Sequence, residues 1–113
     1  MDQQSWVDEI DMAVTVTDAE GTVLSMNRRS VSTFAEDGGA ALVGRNVLDC
    51  HPEPARSRLA AMLASQSANH YTISKGGKRK AIHQLPGYRD GAFAGFVEPA
   101  IPIGDHLPHF DRD

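Results

Sequence analysis

Few residues in this chain are able to do chemistry: a scatter of histidines, one cysteine and some polar groups set among apolar ones. Cys50 and His51 are neighbours in the run Asp49-Cys50-His51-Pro52. A neutral imidazole at such a turn is a competent metal ligand, and its simpler role is to hydrogen-bond local backbone. The Cys50 thiol is a candidate redox group if nearby helix N-termini or His51 lower its pKa, and otherwise a small buried apolar residue. Arg45, beside Asn46, has the planar fork that grips a carboxylate ligand, or it makes a surface ion pair of little energetic value. Gln84 and Glu98 interrupt apolar strand patterns, and an inward-pointing polar group needs a partner, a ligand among the candidates.

His70 and His83 share a face only if the strands that carry them pair in one particular register. Two imidazoles are fewer than a closed metal site needs, so no dedicated metal site is expected. His106 and His109 lie in a terminal stretch that reads as a frayed tail, 105–113. The chain has no Gly-x-Ser-x-Gly, no phosphate loop, no His-Glu-x-x-His and no paired cysteines, so no catalytic set is legible and an enzyme is not expected.

The elements that must position these groups follow from periodicity. Ser5 is a candidate cap for a short helix over Trp6–Ile10, which would put Trp6 and Ile10 on one face as a dimer contact. Met12–Thr17 alternates, with Met12, Val14 and Val16 on one face and Ala13, Thr15 and Thr17 on the other. Asp18-Ala19-Glu20-Gly21 is a turn into a second strand, Thr22–Met26. Asn27 caps a helix over Arg28–Ala35, which Gly38-Gly39 breaks. Short turns follow over Ala40–Val43 and Val47–Cys50, the second capped by Asn46. Pro52 and Pro54 lead into the longest helix, with Leu59, Met62 and Leu63 facing inward.

Asn69–Lys75 and Lys78–Leu85 are strands joined by Gly76-Gly77, a two-residue hairpin signal. A type I′ turn there sets Tyr71 opposite Ile82 and His70 opposite His83. Gly87–Gly91 reads as a loop. Ala92–Glu98 reads as a central strand, because Phe93, Phe96 and Val97 give it apolar groups on both faces, with Pro99 and Pro102 limiting ladder donors beyond it.

The bulk numbers bound the answer. The chain has 113 residues, 41% hydrophobic and 23% charged, enough for one folded domain. A net charge of −4 argues against nucleic acid as a partner. No apolar run approaches the roughly 20 residues of a membrane span. A single cysteine and no secretion signal point to a reducing, cytoplasmic setting.

VTDAEGTVLSMN near the start, LVGRNVLDCHPEPARSRLAAML in the middle and FAGFVEPAIPI near the end occur in an order and spacing that resemble the PAS domain family. The resemblance covers about residues 11–104. It implies an α+β fold: a five-stranded antiparallel sheet with short helices and one longer connecting helix on one face. The expected layout is an N-terminal helical extension over 1–11, the domain over 12–104 and the tail over 105–113. It further implies a signal-sensing module that binds a small ligand in an internal pocket, forms a homodimer, or signals in trans to a partner protein. The expected pocket residues are Arg45, Asn46, Met62, Leu63, Tyr71, Ile82, Gln84 and Phe96. Haem-binding relatives place a ligating histidine on or near the long helix, which makes His51 the alternative axial ligand of a gas or redox sensor. PAS-like photoreceptors attach a chromophore to a cysteine in about the region of Cys50. The flavin photoreceptors' Asn-Cys-Arg-Phe-Leu-Gln motif is absent, so flavin is not expected. A ligand-free interaction module with a filled core is the remaining alternative.

Overall fold

The computed structural model describes residues 5–113. Residues 1–4 of the expected N-terminal extension, and the side chain of Ser5 with its proposed cap, lie outside that description. The chain runs through α1 (Ser5–Asp8), β1 (Ala13–Thr17), β2 (Val23–Met26), α2 (Arg28–Thr33), two 3₁₀ turns (Ala35–Asp37 and Gly39–Leu42), α3 (Val47–Cys50), α4 (Ala55–Ser65), β3 (Asn69–Lys75), β4 (Lys78–Arg89) and β5 (Ala92–Ile103). The five strands form one antiparallel sheet in the order β2-β1-β5-β4-β3. The short helices and α4 gather on one face of it, as the resemblance implied.

Local chemistry explains each junction. The Asp18 carboxylate accepts from the Glu20 and Thr22 amides at 3.0 and 2.9 Å, and Gly21 takes φ +89°. Asn27 caps α2 by accepting from the Ser30 amide at 3.0 Å. The same oxygen accepts from Val14 N–H at 2.9 Å, while the amide NH₂ donates to the carbonyls of Val7 (2.9 Å) and Met12 (2.7 Å). One buried side chain thus ties α1, β1 and α2 together. Asn46 caps α3 through the Leu48 amide and anchors the Glu20 carbonyl. Helix α4 starts at Ala55 with Pro54 as its cap rather than its first residue. Glu53 accepts from the backbone and hydroxyl of Ser57, and this holds its carboxyl below the usual range.

The α4 stripe falls as its spacing requires. Ala55, Leu59, Met62 and Leu63 are half-buried and the rest of the helix is exposed. The fully buried apolar residues are Ala13, Val23, Leu42, Ile82 and Phe96. A core this thin leaves room between helices and sheet.

Four expectations are corrected. Helix α1 covers Ser5–Asp8, so Ile10 lies beyond it and Trp6 and Ile10 do not share a helical face. Helix α2 stops at Thr33, and a separate 3₁₀ turn follows at Ala35. Gly87–Gly91 is not a loop: β4 continues through Pro86 and Gly87 to Arg89, taking up the irregularity as a bulge between Gly87 and Tyr88. Strand β5 likewise runs past Pro99 and Pro102 to Ile103.

Candidate functional site

Inner-face residues follow from the register. Thr15 of β1 pairs with Met26 of β2 on one side and with Glu98 of β5 on the other. Gln84 of β4 pairs with Asn69 of β3. A polar band therefore crosses the helix-facing side of the sheet. Ser30 and Thr15 hydroxyls meet at 2.5 Å. Gln84 Nε2 donates to Glu98 Oε2 at 2.9 Å, and Asn69 Nδ2 donates to Gln84 Oε1 at 3.0 Å. Ser30 and Gln84 are buried, and among the described residues no buried side-chain polar atom lacks a partner.

Two cavities flank this band. The larger has a volume of about 290 Å³. Its floor is Thr15, Val23, Met26 and Glu98 of the sheet, and its walls are Phe34, which joins α2 to the first 3₁₀ turn, and Asp37 and Leu42 from the two turns, with Cys50 and His51 closing it. The smaller, about 50 Å³, lies under α4, between Leu59, Met62 and Leu63 above and Thr17, Gln84 and Phe96 below, with Val47 at its side. Thr15 and Glu98 line both.

The sequence candidates separate on this geometry. Met62, Leu63, Gln84 and Phe96 come together on the smaller cavity, and Cys50 with His51 on the larger. Arg45, Asn46, Tyr71 and Ile82 line neither. Arg45 is exposed, and its carbonyl accepts from Val23 N–H, so its segment pairs with the edge of β2. Asn46 is spent on capping. Ile82 is core. Tyr71 sits on the edge strand, 44% exposed. Partial burial, and secondarily the negative charge of Glu98, push its hydroxyl above the ordinary tyrosine pKa.

His51 makes the local backbone contact weighed for it. Its Nδ1 lies 2.7 Å from the Val47 carbonyl, so that nitrogen carries the proton and Nε2 is left as an acceptor. Cys50 is exposed, which removes the reading of a small buried residue.

Sequence reasoning missed Asp37, Phe34 and Leu42. They lie in the Gly-flanked turns between helices, where no periodicity marks a facing direction. The Thr15/Thr17 face was visible in the alternation of β1, and only the paired register of β5 shows that it is the inward one.

No family profile matches the sequence, and no curated protein does. Solved structures do resemble it. A C-terminal domain from Streptococcus mutans matches with a TM-score of 0.71 at 17% identity, covering 86% of this chain and 79% of that one. The PAS domain of Bordetella pertussis BvgS matches at 0.65 and 16%, covering 90% and 84%. The Aer2 receptor of Vibrio cholerae, described as a dual PAS-heme oxygen sensor, matches at 0.61 and 14%, covering 87% and 99%. The fold of this chain is that of PAS domains.

Proposed function

We propose that this chain is a sensing module whose larger cavity takes a small ligand rich in hydrogen-bond donors, a cationic amine being the type case. The observation that carries this reading is the sign of the charge in the lining. Asp37, Glu98 and His51 stand among apolar side chains around a space of about 290 Å³, and no lysine or arginine is among its described lining residues. Two carboxylates in a partly enclosed site attract a cation and repel an anion. The volume is at the lower end for ligand pockets, which suits a small metabolite. Occupancy would be passed on by Glu98, which leaves or keeps Gln84 according to what else it binds, shifting the sheet between two states. In this reading the chain has no catalytic activity of its own and acts on a partner protein.

The test is a thermal-shift and calorimetric comparison of agmatine, histamine and spermidine with succinate and citrate. Saturable stabilisation by an amine, weakened in Glu98→Gln and Asp37→Asn, is the expected result. Binding of the carboxylates instead would overturn the reading.

Haem sensing through His51 has one favourable feature, an Nε2 left free by the Val47 contact. The rest of the lining argues against it. Haem brings two propionates, and the cavity offers them Asp37 and Glu98 in a volume small for a macrocycle. Adding one equivalent of hemin is expected to give the spectrum of the free pigment, the same in wild type and in His51→Ala.

A ligand-free homodimer is the second reading, favoured by Trp6, which is 59% exposed on α1. Light scattering on wild type and Trp6→Ala decides it; the dimer reading requires a dimer that Trp6→Ala or Ile10→Ala weakens.

A further inference from the structure

The outer face of the β3–β4 hairpin carries a pair of groups that the cavities do not use. Gly76 and Gly77, at φ +60° and +77°, close the turn and fix the register, which sets His70 directly opposite His83. Their Nδ1 atoms are 2.9 Å apart, with the rings edge-to-face at 5.1 Å between centroids. In the metal-free molecule one Nδ1–H is shared between the two nitrogens.

We propose that His70 and His83 form an open, two-imidazole chelate for a divalent transition metal, with copper(II) preferred. Metal–imidazole bonds run about 2.0–2.1 Å, so two such ligands at a right angle stand about 2.8–3.0 Å apart, whereas a tetrahedral angle needs about 3.3–3.4 Å. The observed 2.9 Å is the length of the hydrogen bond that the two nitrogens share, and it lies within about half an ångström of either spacing, so a small turn of the rings admits the ion. Among first-row divalent ions copper(II) is the tightest on nitrogen donors. Among the described residues no third histidine, cysteine or carboxylate joins the pair, so water completes the coordination. When the donating ring shifts to its Nε2–H tautomer, giving up the Nδ1 proton and taking one from solvent at Nε2, both Nδ1 lone pairs are free for the ion. The strand they clamp is the sheet's edge, exposed along its whole length, so the ion would staple β3 to β4 and stabilise the paired form by mass action.

The experiment is a copper(II) titration of the full chain in a Cys50→Ser background, read by electron paramagnetic resonance and calorimetry. One equivalent with a two-nitrogen signature is expected. His70→Asn or His83→Asn should weaken it roughly tenfold or more, because a chelate becomes a lone imidazole. Both residues lie on the outer face of the hairpin and are not fully buried, so these variants keep the fold, which circular dichroism checks. The double variant His106→Ala/His109→Ala should bind as the parent does. Equal binding in the parent and His70→Asn would overturn the proposal. So would loss of binding only in the tail variant or in His51→Ala. Zinc binding as tightly as copper would overturn the copper preference.

Discussion

Gln84 and Glu98 are joined across β4 and β5 by a 2.9 Å hydrogen bond, and Glu98 is the one carboxylate that faces both cavities. Gln84 has its other end occupied too, by Asn69. The two therefore form the middle of a closed chain of partners. Replacing Gln84 by leucine leaves Glu98 and Asn69 without theirs. Urea denaturation should show a loss of about 1 kcal/mol, since Glu98 is half-buried and Asn69 exposed, so water takes over part of what the two hydrogen bonds gave.

Asn27 uses both donors and both acceptor positions of one amide. Asn27→Ala should destabilise by roughly 2–4 kcal/mol, a lost cap plus carbonyls left unpaired. Asn27→Asp keeps the acceptors and loses the donors to Val7 and Met12. Its cost should fall between wild type and alanine, and it should be the variant that most loosens the segment before β1 in hydrogen exchange.

Gly95 packs against the end of β1. A Cβ there would stand 2.0 Å from the Thr17 carbonyl oxygen, and the backbone has φ +130°. Gly95→Ala should cost roughly 3 kcal/mol or more, or prevent folding. Gly91, at φ +81° with open space around it, is the control, and Gly91→Ala should cost about 1 kcal/mol.

Tyr71 binds its proton more tightly folded than unfolded, because burial and Glu98 disfavour the tyrosinate. Its raised pKa means that the folded state holds more protons than the unfolded one just above pH 10. Stability from this group is therefore complete below about pH 10 and falls as pH rises through the folded value. In a Tyr88→Phe variant, tyrosinate absorbance should rise with a midpoint above 10, and Glu98→Gln should lower that midpoint. A midpoint at or below 10 would contradict the geometry.

How much could be read from residues alone depended on how local the cause was. The Gly76-Gly77 turn is a local device, and it carried the whole β3–β4 register, including Tyr71 against Ile82 and His70 against His83. Asn27 and Asn46 were legible as caps for the same reason. Pro86-Gly87 reads locally as a break, and tertiary pairing with Phe96 and Gly95 overrides it. Pro99 faces Val14 and Pro102 faces Lys80 within the sheet, although neither donates to the ladder. The larger cavity was less legible still. Its walls come from turns around Asp37 and Leu42, and its floor from strands far apart in sequence. Met62, Leu63 and Phe96 were read as pocket or core by type, and only packing decides which cavity each one meets.

Strand β5 is the fifth of five in chain order and the third of five in the sheet. Until it arrives, β1–β2 and β3–β4 are separate ribbons with no shared hydrogen bonds, and an isolated two-stranded ribbon is marginal in water. On the ribosome, then, neither cavity nor inner-face band can assemble while residues 92–103 are still in the exit tunnel. Assembly of the domain therefore waits for β5, and its pace is set by long-range closure rather than by its helices.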